Sequence, residues 1–85
     1  MTEYKIVFEK LAEKFIMKQP KPERERILRA VYKLPNEGDR KKLKGNKGLL
    51  RLRVGDYRII YTVDEGKLVV LVVDADNRGQ IYRRY

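Results

Sequence analysis

The sequence predicts an α+β domain: two N-terminal helices packed on a small, mainly antiparallel, twisted β-sheet. Three stretches carry that prediction. Apolar residues between Leu11 and Leu34 recur at helical spacing and are interrupted by Gln19-Pro20-Lys21-Pro22. From Leu49 to Val63, apolar and β-branched residues alternate with arginine on both sides of Gly55-Asp56. Lys67 to Asp74 is an almost unbroken apolar run, the pattern of a strand buried on both faces in the middle of a sheet. Helices followed by strands place the helices together on one sheet face. With 85 residues there is room for one domain, 1–85, with a small core.

Tyr4 to Phe8 predicts the first strand, and Glu9 to about Met17 the first helix, with Leu11, Ala12, Phe15 and Ile16 on its apolar side. Pro22 suits the first turn of the second helix, and Glu23 and Glu25 suit its positive N-terminal end. Ile27, Leu28, Val31 and Leu34 form its buried stripe, and the helix stops before Pro35. Residues Asn36 to Asp39 predict a loop, and Arg40 to Gly48, basic and punctuated by glycine, reads as a solvated connection. After the alternating stretch, Asp64-Glu65-Gly66 predicts a turn into the apolar strand, Asp74 to Gly79 a loop, and Gln80-Ile81-Tyr82 a last short strand or turn.

The alternating stretch is the informative one. Taking Gly55-Asp56 as a two-residue hairpin turn pairs Val54 with Tyr57, Leu52 with Ile59 and Arg53 with Arg58, whereas a three-residue loop slips the register by one and disperses the arginines. Leu50, Leu52, Val54, Tyr57, Ile59 and Tyr61 then share one face, and Arg51, Arg53 and Arg58 share the other. Like charges across a strand pair are unfavourable, and an anionic partner removes that penalty. Planar guanidinium suits phosphate, and a sheet is a rigid platform for it. The plainer reading of the same face is a solvated surface that keeps the sheet soluble.

Composition narrows the chemistry. The chain has no cysteine and no histidine, which removes disulfides, thiolate metal sites and the commonest general base. No metal and no cofactor are expected, since Asp74 and Asp76 on one short stretch are a weak pair of candidate ligands. The formal charge of +9 favours a polyanionic partner. Arg40, Lys41, Lys42, Lys44, Lys47, Arg51, Arg53 and Arg58 are met over their span by one acidic residue, Asp56. No apolar run has the length of a signal peptide or a membrane span, so a cytoplasmic protein with no membrane partner is expected. Tyrosine, lysine and carboxylates remain for proton transfer and arginine for holding phosphate; RNA supplies its own nucleophile, the 2′-hydroxyl, so an enzyme that orients it in line and stabilises charge needs little else. Tyr82 and Tyr85, interleaved with Arg78, Arg83 and Arg84, suit base stacking or proton transfer, or simply pack their rings at the domain surface.

Lys-Leu-Lys-Gly at Lys42 to Gly45, Leu-Arg-Val-Gly-Asp-Tyr-Arg-Ile-Ile-Tyr at Leu52 to Tyr61, and Asn-Arg-Gly-Gln-Ile-Tyr at Asn77 to Tyr82 together resemble the RelE/ParE superfamily of toxins. The resemblance implies the two-helix, antiparallel-sheet RelE-like fold. For the RelE branch it implies a toxin of a type II toxin-antitoxin system, an endoribonuclease that cleaves mRNA in the ribosomal A site by 2′-hydroxyl attack without a metal. It further implies a cognate antitoxin that covers the basic site, with the toxin a monomer when free and part of a hetero-oligomer in the cell. Arg58 matches the arginine of the family's Gly-x-Tyr-Arg segment, which is implicated in phosphate and transition-state stabilisation. Tyr82 matches the C-terminal tyrosine, a candidate base or stacking residue, and Arg78 the arginine four positions earlier, so the resemblance makes Arg58, Arg78 and Tyr82 the catalytic candidates. By the same resemblance, Arg51 and Arg53 stand at strand positions where RelE-like toxins carry basic residues that engage RNA, and Lys41, Lys42, Lys44, Lys47, Arg83 and Arg84 would extend that surface.

The chain also departs from the pattern: Asn77 stands where many relatives have histidine, Leu49 where some have lysine, and Asp76 near a position that is basic in RelE-type enzymes. An acidic Asp76 beside a phosphate site opposes binding unless it points away or pairs with Arg78. Two other functions fit the same superfamily: a ParE-like inhibitor of DNA gyrase, and a catalytically weakened relative that binds RNA or the ribosome without cutting.

Overall fold

The computed structural model describes residues 3–43, 45 and 48–81, with the backbone alone of Arg78 and Gly79. The chain runs β1 (Lys5–Phe8), α1 (Lys10–Met17), α2 (Lys21–Val31), β2 (Asp39–Lys42), β3 (Leu50–Val54), β4 (Tyr57–Asp64), β5 (Val69–Asn77) and α3 (Arg78–Ile81). The five strands form one sheet in the order β1-β5-β4-β3-β2. Only the β1-β5 pair is parallel among the described strands. The fold class agrees with the sequence prediction.

Both long helices lie on one face, α1 against β5 and α2 against β3. Between them and the sheet sit Ala12, Ile16, Ile27, Val31, Leu34, Leu52, Val54, Ile59, Tyr61, Val70, Val72 and Ala75. Pro22 stands in the first turn of α2, where its missing N–H costs nothing, and Glu23 follows it. Leu11 departs from the predicted stripe. It is 55% exposed and borders the end of β5 at Asp74 to Asp76, while Ala12, Phe15 and Ile16 pack in or against the core.

The hairpin has the predicted register, with Arg53 opposite Arg58, Leu52 opposite Ile59 and Val54 opposite Tyr57. Gly55 has φ +58° and Asp56 does not share the positive region, which makes the turn type II′, with glycine required at its first position. A Cβ on Gly55 would also stand 2.7 Å from Nη2 of Arg26, which lies over the turn. The tip is fastened to α1 as well. Tyr57 Oη donates to Gln19 Oε1 at 3.3 Å, Gln19 Nε2 donates to the Phe15 carbonyl at 3.0 Å, and the Phe15 and Tyr57 rings meet edge-on at 6.0 Å.

Four expectations need correction. Asp39–Lys42, expected as loop and solvated connection, is an edge strand paired with β3. All four of its side chains are exposed, so the backbone ladder rather than burial holds it in the sheet. The apolar run after Gly66 begins its strand only at Val69, because Leu68 is in the turn with φ +56°. That strand, β5, is internal, but β4 is the central one, and Val69, Leu71 and Val73 are only half-buried on the face away from the main core. Finally, Asp74 to Asn77 continues β5, and Arg78–Ile81 is a single helical turn rather than loop and strand. The Asp74 carboxylate accepts the Ala75 N–H at 2.8 Å and the Asp76 carboxylate the Asn77 N–H at 2.7 Å. These bonds satisfy backbone donors where β5 has outrun β1, whose pairing stops at Val72.

Candidate nucleic-acid interface

The face of the sheet opposite α1 and α2 carries the candidate site. The β2-β3-β4-β5 ladders place Asp39, Lys41, Arg51, Arg53, Arg58, Ile60, Asp74 and Asp76 on this side. Arg40 and Lys42 alternate to the other side, beside Leu52 and Leu50, so Lys41 joins the arginine face and Lys42 does not. The Arg40 guanidinium is engaged there, donating to the carbonyls of Pro35 and Gly38.

Arg58 is not solvated as its strand position suggested. It is 6% exposed, and its Nη1 donates to the carbonyls of Gly55 at 2.9 Å and Tyr57 at 3.0 Å. Alternation put Arg58 on this face, but it could not show that the face is covered. The cover includes α3, which packs on β4 and β5, and Ile60 and Ile81 are fully buried outside the main core. Asp76 stands directly across the β4-β5 ladder from Arg58, on the same side of the sheet.

Two donors on this face are unspent. The Nε atoms of Arg51 and Arg58 are buried and have no hydrogen-bond partner among the described residues. A buried, unpaired donor on a cation is costly unless a ligand supplies the acceptor. Asp39 partly offsets the charge: its carboxylate reaches Arg51 Nη2 at 3.3 Å and Arg53 Nη1 at 3.9 Å. Sequence counting missed this residue because Asp39 lies just before the basic span and was placed in a loop.

Of the remaining sequence candidates, Arg78 opens α3 directly after Asn77, whose ladder partner is Tyr57, so its backbone follows the strand end nearest the hairpin turn. Lys44, Lys47, Tyr82, Arg83 and Arg84 lie outside the described residues. The Leu43 N–H donates to the Leu49 carbonyl at 3.1 Å, carrying the β2-β3 pairing one residue beyond Lys42 and Leu50. Burial raises the hydroxyl pKa of Tyr57, aided by Glu23, and that of Tyr61. Both stay protonated at neutral pH; Tyr57 donates to Gln19, and Tyr61 packs in the core. The described residues contain no group of three carboxylate, histidine or cysteine side chains placed to hold a metal. No described helix is long and apolar enough to cross a membrane.

Two helices on one face of a mainly antiparallel sheet, with arginines on the other around a type II′ hairpin, define a small basic domain of the RelE-like class. Residues 6–82 match the family model described as the ParE toxin of the type II toxin-antitoxin system, parDE, and the chain belongs to this RelE/ParE superfamily of toxins. Among solved structures it is similar to the toxin in the archaeal RelE-RelB complex of Pyrococcus horikoshii OT3, at 33% identity and a TM-score of 0.73 over 94% of this chain and 99% of that one. It is similar also to that in the RelB-RelE complex of Methanococcus jannaschii, at 27% identity and a TM-score of 0.73 over 93% and 98% of the two chains. The intact RelBE complex of E. coli matches at 26% identity and a TM-score of 0.70 over 87% and 95%. These likenesses place the chain in the RelE-like branch. No curated protein matches the chain.

Proposed function

We propose that this toxin is a ribosome-dependent endoribonuclease that cleaves mRNA in the A site and is held inactive by a cognate antitoxin. The observation that carries the reading is the register that sets Arg51, Arg53 and Arg58 on one rigid sheet face, with the Nε atoms of Arg51 and Arg58 left without a hydrogen-bond partner among the described residues. A phosphodiester satisfies such donors and offsets the like charges that the register sets opposite each other. In this reading the 2′-oxygen attacks the adjacent phosphorus in line as the bond to the 5′-oxygen breaks. The 2′-hydroxyl proton leaves to a base, and the 5′-oxygen takes a proton. Arg58 holds the nonbridging oxygens as negative charge grows on them, and Arg78 and Tyr82 act beside it. Lys41, Lys44, Lys47, Arg83 and Arg84 extend the contact to RNA. Solved relatives are complexes of RelE with RelB, which supports an antitoxin of that kind for this chain.

A second reading is gyrase inhibition. It is favoured by the ParE family match and by the two backbone carbonyls that hold Arg58, as a structural arginine would be held. Primer extension on translated mRNA and a gyrase supercoiling assay, run on the same protein, separate the two. Ribosome-dependent cuts with normal supercoiling support the nuclease; lost supercoiling with intact mRNA selects the inhibitor.

Salt gives a further check. If Arg51, Arg53 and Arg58 each neutralise one phosphate, log affinity for single-stranded RNA should fall with log salt at a slope of at least about −2, steeper as the further lysines and arginines engage. A flat response would remove RNA phosphates from this face.

A further inference from the structure

Asp39 opens the edge strand β2 and stands directly across the ladder from Arg53. Its two oxygens divide between two cations, Oδ1 accepting from Arg51 Nη2 at 3.3 Å and Oδ2 lying 3.9 Å from Arg53 Nη1. A phosphodiester presents two nonbridging oxygens in much the same way. Arg51 and Arg53 are two residues apart on β3 and so share a face with Arg58. Asp76 stands across the ladder from Arg58, and Asp39 is the carboxylate that separates the like charges of Arg51 and Arg53.

We infer that Asp39 is a built-in stand-in for an RNA phosphate: it holds Arg51 and Arg53 in a phosphate-receiving arrangement and yields one or both when RNA docks. The inference rests on the RNA-binding reading of this face. The two contacts differ in strength. The Arg53 pair is the longer and both its side chains are 55% exposed, so it opens first, whereas the Arg51 side chain is 13% exposed and stays held. Asp39 therefore competes with every incoming phosphate and sets affinity. It touches no reacting atom and is a positioning residue.

The test compares Asp39→Asn with the unaltered protein for binding to a fluorescent single-stranded RNA with 2′-O-methyl riboses, which cannot be cleaved by 2′-oxygen attack. Glu65→Gln is the charge control, removing the same formal charge from the exposed turn at the far end of β4. Asp39→Asn is expected to bind about two- to fivefold more tightly, the scale of a partly exposed ion pair, with little change for Glu65→Gln. Asp39→Ser should move affinity the same way, and the gain should shrink in an Arg53→Ala background. Equal gains for Asp39→Asn and Glu65→Gln, or no gain from a folded Asp39→Asn protein that still binds RNA, overturn the inference alone. An unaltered protein that binds no RNA overturns both the inference and the reading beneath it.

Discussion

Arg58→Ala is expected to lower the rate of mRNA cleavage by about 10²–10³-fold, the usual effect of removing one preorganised donor from a developing oxyanion. The side chain is already fixed before substrate arrives. Its Nη1 is held by the Gly55 and Tyr57 carbonyls, so its planar group is oriented by the same turn that sets the hairpin register. That attachment means the substitution also reaches the fold. Losing two hydrogen bonds from a charged donor costs on the order of 1.5–3 kcal/mol each at most, offset by relief of a buried cation. Arg58→Lys separates the effects, since it keeps the charge but loses the planar fork. Cleavage should remain poor in the lysine variant while its thermal midpoint stays close to that of the parent. A folded Arg58→Ala protein that cleaves at the parent rate would remove Arg58 from the chemistry.

The second large effect is structural. Ile59→Ala should destabilise the protein by about 2–5 kcal/mol, read from the urea midpoint at unchanged m. Ile59 is fully buried on the central strand, opposite Leu52 on one side and Ala75 on the other. Removing its outer carbons leaves a cavity that neighbouring strands cannot close without breaking ladders. Leu11→Ala, on the exposed side of α1, should change stability by no more than about 0.5 kcal/mol. Similar losses at the two positions would contradict the placement of the core between α1, α2 and the sheet.

The hairpin was legible because turn chemistry and alternation agree. Gly55-Asp56 selects a two-residue turn, and only one register then puts Leu52, Ile59 and Tyr61 together. The edge strand β2 was not legible, since Asp39-Arg40-Lys41-Lys42 has no apolar face and joins the sheet through its ladder with β3. The end of β5 was hidden for a related reason. Aspartate and asparagine signal turns, yet here the carboxylates of Asp74 and Asp76 satisfy their neighbours' amides and let the strand continue.

At the site, period-two alternation assigned Arg51, Arg53 and Arg58 to one face, but it says nothing of what packs on that face. The burial of Arg58 and Ile60 beneath a covered surface therefore came only from the tertiary structure. Asp39 escaped for the same reason as β2: its contacts with Arg51 and Arg53 exist only once the two strands are paired.

On the proposed reading, the arginine face of this toxin cuts mRNA on the ribosome. Its most direct test is primer extension on a defined mRNA in a reconstituted translation system, with and without ribosomes, comparing the protein with Arg58→Ala. The expected result is cuts that require ribosomes, fall at A-site codons and disappear in the variant. Intact mRNA in the presence of folded protein and translating ribosomes would contradict it.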